Sequence, residues 1–354
     1  MTTPFSYDIN PARIVFGPGT LARVGDEIKR LGASRALILS TPFQQADAQA
    51  LARQLGPLSA GVFAEAAMHT PVAVTARAMA AFDAAGADCV VALGGGSTIG
   101  LGKAIAYRND APQVVVATTY AGSEVTPILG QTEDGVKTTV RDPKILPEVV
   151  IYDPDLTLGL PVAMSVTSGL NAMAHALEAV YARDRNPVAS LMAVEGVRAL
   201  QGALPVIVAD PRNAAARSDA LYGSWLCGTV LGTVGMALHH KLCHTLGGSF
   251  DLPHAETHAI VLPHSAAYNA QAAAAELRPL TALFGGDIGG GLYDFARSLG
   301  APLALKDLGL QESQLDQAAD LTVKNPYWNP RPIARDAVRA LLQRAWEGTR
   351  PQSS

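Results

Sequence analysis

The chain has 354 residues, 49% of them hydrophobic and only 16% charged, with a formal net charge of −4. That length exceeds what one ordinary core organises, so two domains are expected, and the composition excludes a disordered chain. With no basic run, nucleic acid is excluded as a partner. The opening stretch MTTPFSYDINPARIVFGPG has neither the basic nor the apolar region of a signal peptide. No apolar run reaches the ~18 residues of a membrane span. Cys89, Cys227 and Cys243 show no CxxC spacing, so a cytoplasmic chain with reduced thiols and no membrane partner is expected.

Arg13–Phe16 followed by Gly17-Pro18-Gly19 predicts a strand and a turn, with a helix after it over 20–31. A strand is expected at Arg35–Ser40, a helix at Gln45–Leu55 and a strand at Val62-Phe63. Val74, Ala78, Ala81 and Phe82 have helical spacing within 70–85, and Cys89–Leu93 and Val114–Ala117 read as buried strands. Strands alternating with helices imply a parallel sheet covered on both faces, whose ligands bind beyond the carboxyl ends of the strands. Two turns occupy that position. Gly94-Gly95-Gly96-Ser97-Thr98 leads into a helix beginning near Ile99, and Thr118-Thr119-Tyr120-Ala121-Gly122-Ser123-Glu124 follows the next strand. Glycines let the backbone approach an anion, and a helix N-terminus offers free N–H groups. The bland alternative is a merely tight turn. Two such turns together favour a dinucleotide held by Gly94, Gly95, Gly96, Ser97, Thr98, Thr118, Thr119 and Ser123, although neither GxGxxG nor a P-loop is present.

From Asp153-Pro154-Asp155-Leu156 onward the segments become long, Ala-rich and helical. The division expected is 1–155, an α/β dinucleotide-binding domain, and 156–354, an all-α domain. Asn171, His175 and Glu178 fall on one helix face, and helices continue through Pro187–Leu204 and Ala214–Gly232. Gly285–Gly291 reads as a surface loop. Lys324–Pro332 (KNPYWNPRP) reads either as a rigid connector or as a wall of the substrate cleft carrying Asn325, Trp328 or Asn329.

Six of the 8 histidines lie within 235–264: His239, His240, His244, His254, His258 and His264. His240 and His244 share a helix face flanked by His239 and Lys241. Gly247-Gly248 is expected to stop that helix, and Asp251-Leu252-Pro253 to start another, with Asp251 as N-cap and His254 and His258 one turn apart. One buried histidine is ordinarily a satisfied core residue; several converging from two helices mark a site.

Taken together, GGGSTIG (Gly94–Gly100), TTYAGSE (Thr118–Glu124), NAMAHALE (Asn171–Glu178), HKLCH (His240–His244), His254-Ala255 and Leu262-Pro263-His264 resemble the motifs of the iron-containing (group III) alcohol dehydrogenases over nearly the whole chain. HHKLCHTLGG and NPYWNPRP are similar to the maleylacetate reductase subgroup. The resemblance implies a Rossmann-like parallel-sheet domain followed by an all-helical domain, in the manner of dehydroquinate synthase. It implies an NAD(P)H-dependent oxidoreductase that reduces maleylacetate to 3-oxoadipate in the breakdown of aromatic compounds, and a homodimer. Two alternatives stay open: a metal-dependent alcohol dehydrogenase, or a lyase like dehydroquinate synthase.

In metal-dependent members the ion-holding positions carry over to Asn171, His175, His240 and His254, so the acidic ligand is here an amide. The expectation is that no metal is required. Gly100 replaces an acidic residue, and Ser40-Thr41 stand where relatives often have the Asp that selects an unphosphorylated ribose, so NADH and NADPH should both serve. Maleylacetate is a dianionic enone. Its reduction needs groups that stabilise a developing enolate and bind two carboxylates. His244 and His254 are the candidates for enolate stabilisation and proton donation; His240, His175 and Asn171 frame the former metal pocket as oxygen-binding groups; Lys241 and His239 are candidate carboxylate partners.

Overall fold

In a computed structural model, residues 5–7, 10 and 12–352 are described. They fall into two units, one closing at Leu160 and the other opening at Pro161 and also taking in residues 5–7. The boundary thus lies a few residues beyond 155, because the short 3₁₀ turn Pro154–Thr157 still belongs to the sheet unit: its N-cap Asp153 reaches back to the Gly19 and Leu21 amides at 3.1 and 2.9 Å.

The first unit is built on strands β1 (Arg13–Phe16), β2 (Ala36–Leu39), β3 (Ser59–Phe63), β4 (Cys89–Gly94) and β5 (Gln113–Ala117), with helices α1 (Val24–Arg30), α2 (Gln45–Leu55), α3 (Val72–Ala84) and α4 (Gly96–Asn109) between them. A hairpin, β6 (Ile128–Glu133) and β7 (Val136–Arg141), follows, and then β8 (Val149–Tyr152). The six-stranded sheet has the order β1-β8-β5-β4-β2-β3, with every pairing parallel. β2, β4, β5 and β8 are buried along their whole length, as their continuous Val/Ile/Leu runs require of a sheet covered on both faces. β4 and β5 end side by side, Gly94 opposite Ala117, so the two glycine- and hydroxyl-bearing turns leave from adjacent strand ends.

The hairpin and β8 are additions to the elements read from the sequence. The hairpin turns through Asp134 and Gly135, with φ of 48° and 76°, the Asp-Gly pair that a tight two-residue turn demands.

The second unit is helical: α5 (Val162–Tyr181), α6 (Pro187–Ala209), α7 (Ala214–Thr233), α8 (Leu238–Phe250), α9 (His254–Asn269), α10 (Ala274–Leu283), α11 (Ile288–Ser298), α12 (Leu315–Val323) and α13 (Arg335–Glu347). Side-chain caps start several of these. Asn186 accepts from Ala189 N at 2.9 Å, Asn213 from Ala216 N at 3.0 Å and Asp287 from Gly290 N at 3.1 Å. The last cap corrects the reading of Gly285–Gly291 as a surface loop. Gly289 and Gly290 are buried in the first turn of α11, and a Cβ on Gly289 would lie 2.5 Å from Ala267 Cβ of α9. α6 is long and apolar enough to pass for a membrane span, contrary to the sequence reading, but it packs against α5 and α7 and its buried stripe includes Ala193, Val197, Leu200 and Leu204. α5 is buried from Ser165 to Tyr181, which places Asn171, His175 and Glu178 inside the bundle.

The turn between α8 and α9 also differs from expectation. α8 runs through Gly247-Gly248 to Phe250, and the left-handed residue that ends it is Asp251, with φ of 55°. Asp251 therefore closes α8 and does not open α9, whose N-cap is Pro253. An aspartate tolerates this conformation better than most side chains.

Candidate active site

The helical unit gathers its chemistry around Glu178. The N-cap of α8 is Ala237, whose methyl group cannot accept a hydrogen bond, and the Glu178 carboxylate takes that role. It accepts from Ala237 N at 2.8 Å and His239 N at 2.6 Å, and from His240 Nδ1 at 2.7 Å. A carboxylate at a helix N-terminus satisfies otherwise orphaned amides and opposes the positive end of the helix dipole. Glu178 is fully buried and His240 nearly so. Its hold on Nδ1 fixes the ring and leaves His240 Nε2 without a protein partner.

Around this pair the imidazoles stack closely. The His175 and His240 ring centres are 5.2 Å apart, His240 and His258 5.2 Å, His254 and His258 4.3 Å, and His240 and His244 6.0 Å. His239 points behind the cluster, with Nδ1 3.0 Å from Ser265 Oγ and Nε2 2.9 Å from His258 Nδ1. Burial and the neighbouring imidazoles hold His175, His239 and His258 well below the ordinary histidine range, so all three are neutral at physiological pH.

His239 is consequently not a carboxylate partner: it is wholly buried and bonded at both nitrogens. His175 stays in the site as a neutral hydrogen-bonding ring rather than a cation. The accessible groups are His244, His254 and Lys241, all half-buried. Tyr327 Oη lies 3.1 Å from His244 Nδ1, and Lys241 Nζ sits 5.8 Å from the centre of the Tyr327 ring. Burial, and then the negative charge of Glu178, raise the Tyr327 phenol above its usual range, so it keeps its proton.

Within the KNPYWNPRP loop Tyr327 thus meets His244, and Asn329 Oδ1 accepts from Leu238 N at 3.4 Å at the start of α8. Asn329 acts as a clamp, exchanging hydrogen bonds of 2.9 and 2.7 Å with Asn269 and donating to Arg331 O at 2.6 Å. Trp328 is 41% exposed. His264 is buried in the same unit with Arg344 as its charged neighbour, and burial pushes it down to about 3.

At the positions the resemblance assigns, the donor set is three imidazoles and one amide. Asn171, His175, His240 and His254 include no anionic donor. Among the described residues, the His/Cys/Asp/Glu trio whose donor atoms lie within 4.8 Å of one another is His239, Cys243 and His258. Glu178, the acid at hand, is committed to His240 and two amides.

In the sheet unit the glycine-rich turn is a cradle. A Cβ on Gly94 would lie 2.5 Å from Thr98 Oγ1, and one on Gly95 would lie 2.7 Å from Thr119 Cγ2. Gly96, where α4 starts, has open space on that side. The backbone is therefore bare where a phosphate would approach, as a nucleotide requires. Ser97, Thr119 and Ser123 are partly exposed there, whereas Thr98 and Thr118 are buried behind them, with Gln44 Nε2 donating to Thr118 Oγ1 at 3.2 Å. Lys103 ties α4 to the second turn, donating to Ser123 O, to Thr126 O at 2.8 Å and to Ile128 O at 3.1 Å. A cavity of about 120 Å³ opens beside Gly96, Gly100 and Ser123. Thr70 fills the space over Gly100, so a side chain at that position would strike the Thr70 hydroxyl. Ser40 is fully buried, whereas Thr41 is partly exposed.

Two family descriptions match the chain, "Iron-containing alcohol dehydrogenase" over residues 11–154 and "Fe-containing alcohol dehydrogenase family, C-terminal" over residues 165–346. The chain belongs to the iron-containing alcohol dehydrogenase family. Like the rest of that family it is an oxidoreductase. It is 68% identical to a maleylacetate reductase of Rhizobium sp. across 99% of both chains, and 57% identical to one of Sphingobium indicum across 98% of this chain and 99% of that one. The crystal structure of maleylacetate reductase from Agrobacterium tumefaciens superposes with a TM-score of 0.96 at 68% identity, covering 99% of this chain and 100% of that one. A more distantly similar structure, that of 1,3-propanediol oxidoreductase, superposes with a TM-score of 0.90 at 27% identity, covering 97% of this chain and 100% of that one.

Three contributors were passed over in the sequence. Helical spacing from Asn171 and His175 is the sequence signal for Glu178, whose capping role only the fold reveals. His258 was seen among the histidines yet left out of the site. Nothing in the local sequence marks Tyr327, which reaches His244 across 83 residues.

Proposed function

We propose that this chain reduces maleylacetate to 3-oxoadipate, with NADH or NADPH as hydride donor and no metal in the chemical step. The observation that carries the reading is full-length identity of up to 68% to maleylacetate reductases, joined to a family metal pocket whose acidic position is the amide Asn171. The bound dinucleotide would be held by Gly94–Ser97, Thr119 and Ser123, with Thr41 near the ribose, and it supplies the hydride.

Hydride adds to the alkene carbon beta to the ketone, the ketone oxygen takes the charge as an enolate, and the carbon between them is then protonated. His240, its Nδ1–H held by Glu178, serves that oxygen in its protonated form, when Nε2 also carries a hydrogen, and His175 and Asn171 add neutral hydrogen bonds; donors fixed before charge develops need no reorganisation. His244 delivers the proton, oriented by the Tyr327 phenol in the way a general acid is commonly held by a third group. His254, at the start of α9, and Lys241 bind the carboxylates, since both are accessible cations or potential cations near a helix N-terminus. An Asp at position 171, without a metal, would repel the dianion. The partner is thus a small dicarboxylate rather than a nucleic acid or a membrane, and we place the enzyme in the cytoplasm as a homodimer.

The test is NADH and NADPH consumption with maleylacetate beside a panel of primary alcohols and aldehydes. Rapid oxidation of both cofactors by maleylacetate alone supports the proposal. Turnover restricted to simple alcohols and aldehydes refutes it in favour of an ordinary family dehydrogenase.

A further inference from the structure

Behind the site, α8 and α9 bring His239, Cys243 and His258 together, three wholly or almost wholly buried side chains. His239 and Cys243 are one turn apart on α8, and His258 faces them from α9. The hydrogen bonds fix how the protons are arranged. Ser265 Oγ donates to Leu262 O at 3.0 Å, so it must accept from His239 Nδ1, 3.0 Å away. A neutral His239 therefore has a bare Nε2. That lone pair has His258 Nδ1 at 2.9 Å and Cys243 Sγ at 3.6 Å. The other nitrogen of His258, Nε2, is buried with no protein partner.

Two imidazole nitrogens and a thiol sulfur, all within 4.8 Å of one another and buried, make a donor set that a cation fits. Tetrahedral zinc with bonds of ~2.0 Å to nitrogen and ~2.3 Å to sulfur sets N···N and N···S edges of about 3.3 and 3.6 Å. The His239–Cys243 N···S distance already agrees, and the His239–His258 N···N distance needs about 0.4 Å of widening. We propose that His239 Nε2, Cys243 Sγ and His258 Nδ1 form a site for one soft or borderline cation, Zn²⁺ or Cu⁺, distinct from the family's metal position and pinning α8 to α9. Binding forms a metal–thiolate bond and releases the Cys243 proton to solvent, while the His258 proton moves from Nδ1 to the unpartnered Nε2. Nδ1–H of His239 stays on Ser265 and orients that ring, as outer-sphere hydrogen bonds do for metal-bound histidines. This site does not depend on the proposed reaction.

The probe is Co²⁺ added to the full-length, metal-stripped protein, followed by absorption and by thermal melting with Zn²⁺. One equivalent should produce a thiolate-to-cobalt charge-transfer band and release one proton, and stoichiometric Zn²⁺ should raise the melting midpoint. Cys243→Ser and His258→Gln should each lose the band and the Zn²⁺-dependent rise, whereas Cys89→Ser, Cys227→Ser and His175→Ala should retain both. No band in the unaltered chain overturns the proposal, as does a band that survives Cys243→Ser. Binding lost in His175→Ala and kept in Cys243→Ser overturns it too, by placing the ion at the family position. The two variants of the trio check each other should either fail to fold.

Discussion

The two ligand-facing regions of this enzyme are built on opposite principles. The turns after β4 and β5 work through what is missing: Gly94 and Gly95 have no room for a Cβ, and the open side of Gly96 leaves backbone bare to an anion. The histidine helices work through what is added, a set of imidazoles whose ring centres are 4.3 to 6.0 Å apart and whose orientation depends on one carboxylate. A backbone cradle recognises a common feature of nucleotides and tolerates variation around it. A side-chain cluster can be altered by one substitution, and Asn171 stands where the family resemblance places an acid.

The contrast breaks most severely at Glu178. Glu178→Ala leaves two buried amides and His240 Nδ1 without an acceptor, and should cost about 3–5 kcal/mol of stability. Urea unfolding measures it, and a loss under 1 kcal/mol would show that α8 does not depend on this carboxylate. Next is His244→Ala, expected to lower kcat by about two orders of magnitude with little change in cofactor KM, while Tyr327→Phe should lose roughly tenfold because the imidazole remains but loses its orienting partner. Equal kcat in both variants and in the parent enzyme would remove the assigned proton donor. On the other side of the comparison, Gly95→Ala pushes a methyl group against Thr119 and should raise the KM for NADH about tenfold, a loss near 1.4 kcal/mol, with the maleylacetate KM unaffected.

The smallest expected effect concerns pH. His264 is held down to about 3 when folded, against about 6.5 when unfolded. The unfolded chain therefore takes up the proton first. The stability from this group is fully present above pH 6.5 and falls as pH drops toward 3; at pH 5.5 the deficit is about 1.4 kcal/mol. Urea midpoints compared at pH 7.5 and 5.5 should show a smaller drop in His264→Leu than in the parent. An identical drop in the two would mean that His264 does not contribute.

How far the sequence carried the account depended on where the determining contacts lie. Strands such as Cys89–Gly94 and Gln113–Ala117 were legible because burial on both faces imposes an uninterrupted apolar run. The pairing of Asn171, His175 and Glu178 on one face followed from helical spacing alone. The end of α8 was misread because Gly247-Gly248 is the stronger local stop signal, yet the helix is carried past it by packing that buries Leu246 and Leu252, and Asp251 makes the turn. Neither could the neutrality of His175 and His239 be read in advance, since it comes from burial among other imidazoles drawn from three helices. Tyr327 lies still further from local reading: its hydroxyl meets His244 through the fold of the whole helical unit.

The central claim is that imidazoles oriented by Glu178, with an amide at position 171, support enone reduction without an ion. It is tested most directly by assaying maleylacetate-dependent NADH oxidation on enzyme dialysed against a strong chelator, with the residual metal counted by mass spectrometry. Turnover equal to that of the untreated enzyme, at far less than one metal per chain, is the predicted result. Activity that vanishes with the metal and returns in proportion to added iron or zinc would contradict it.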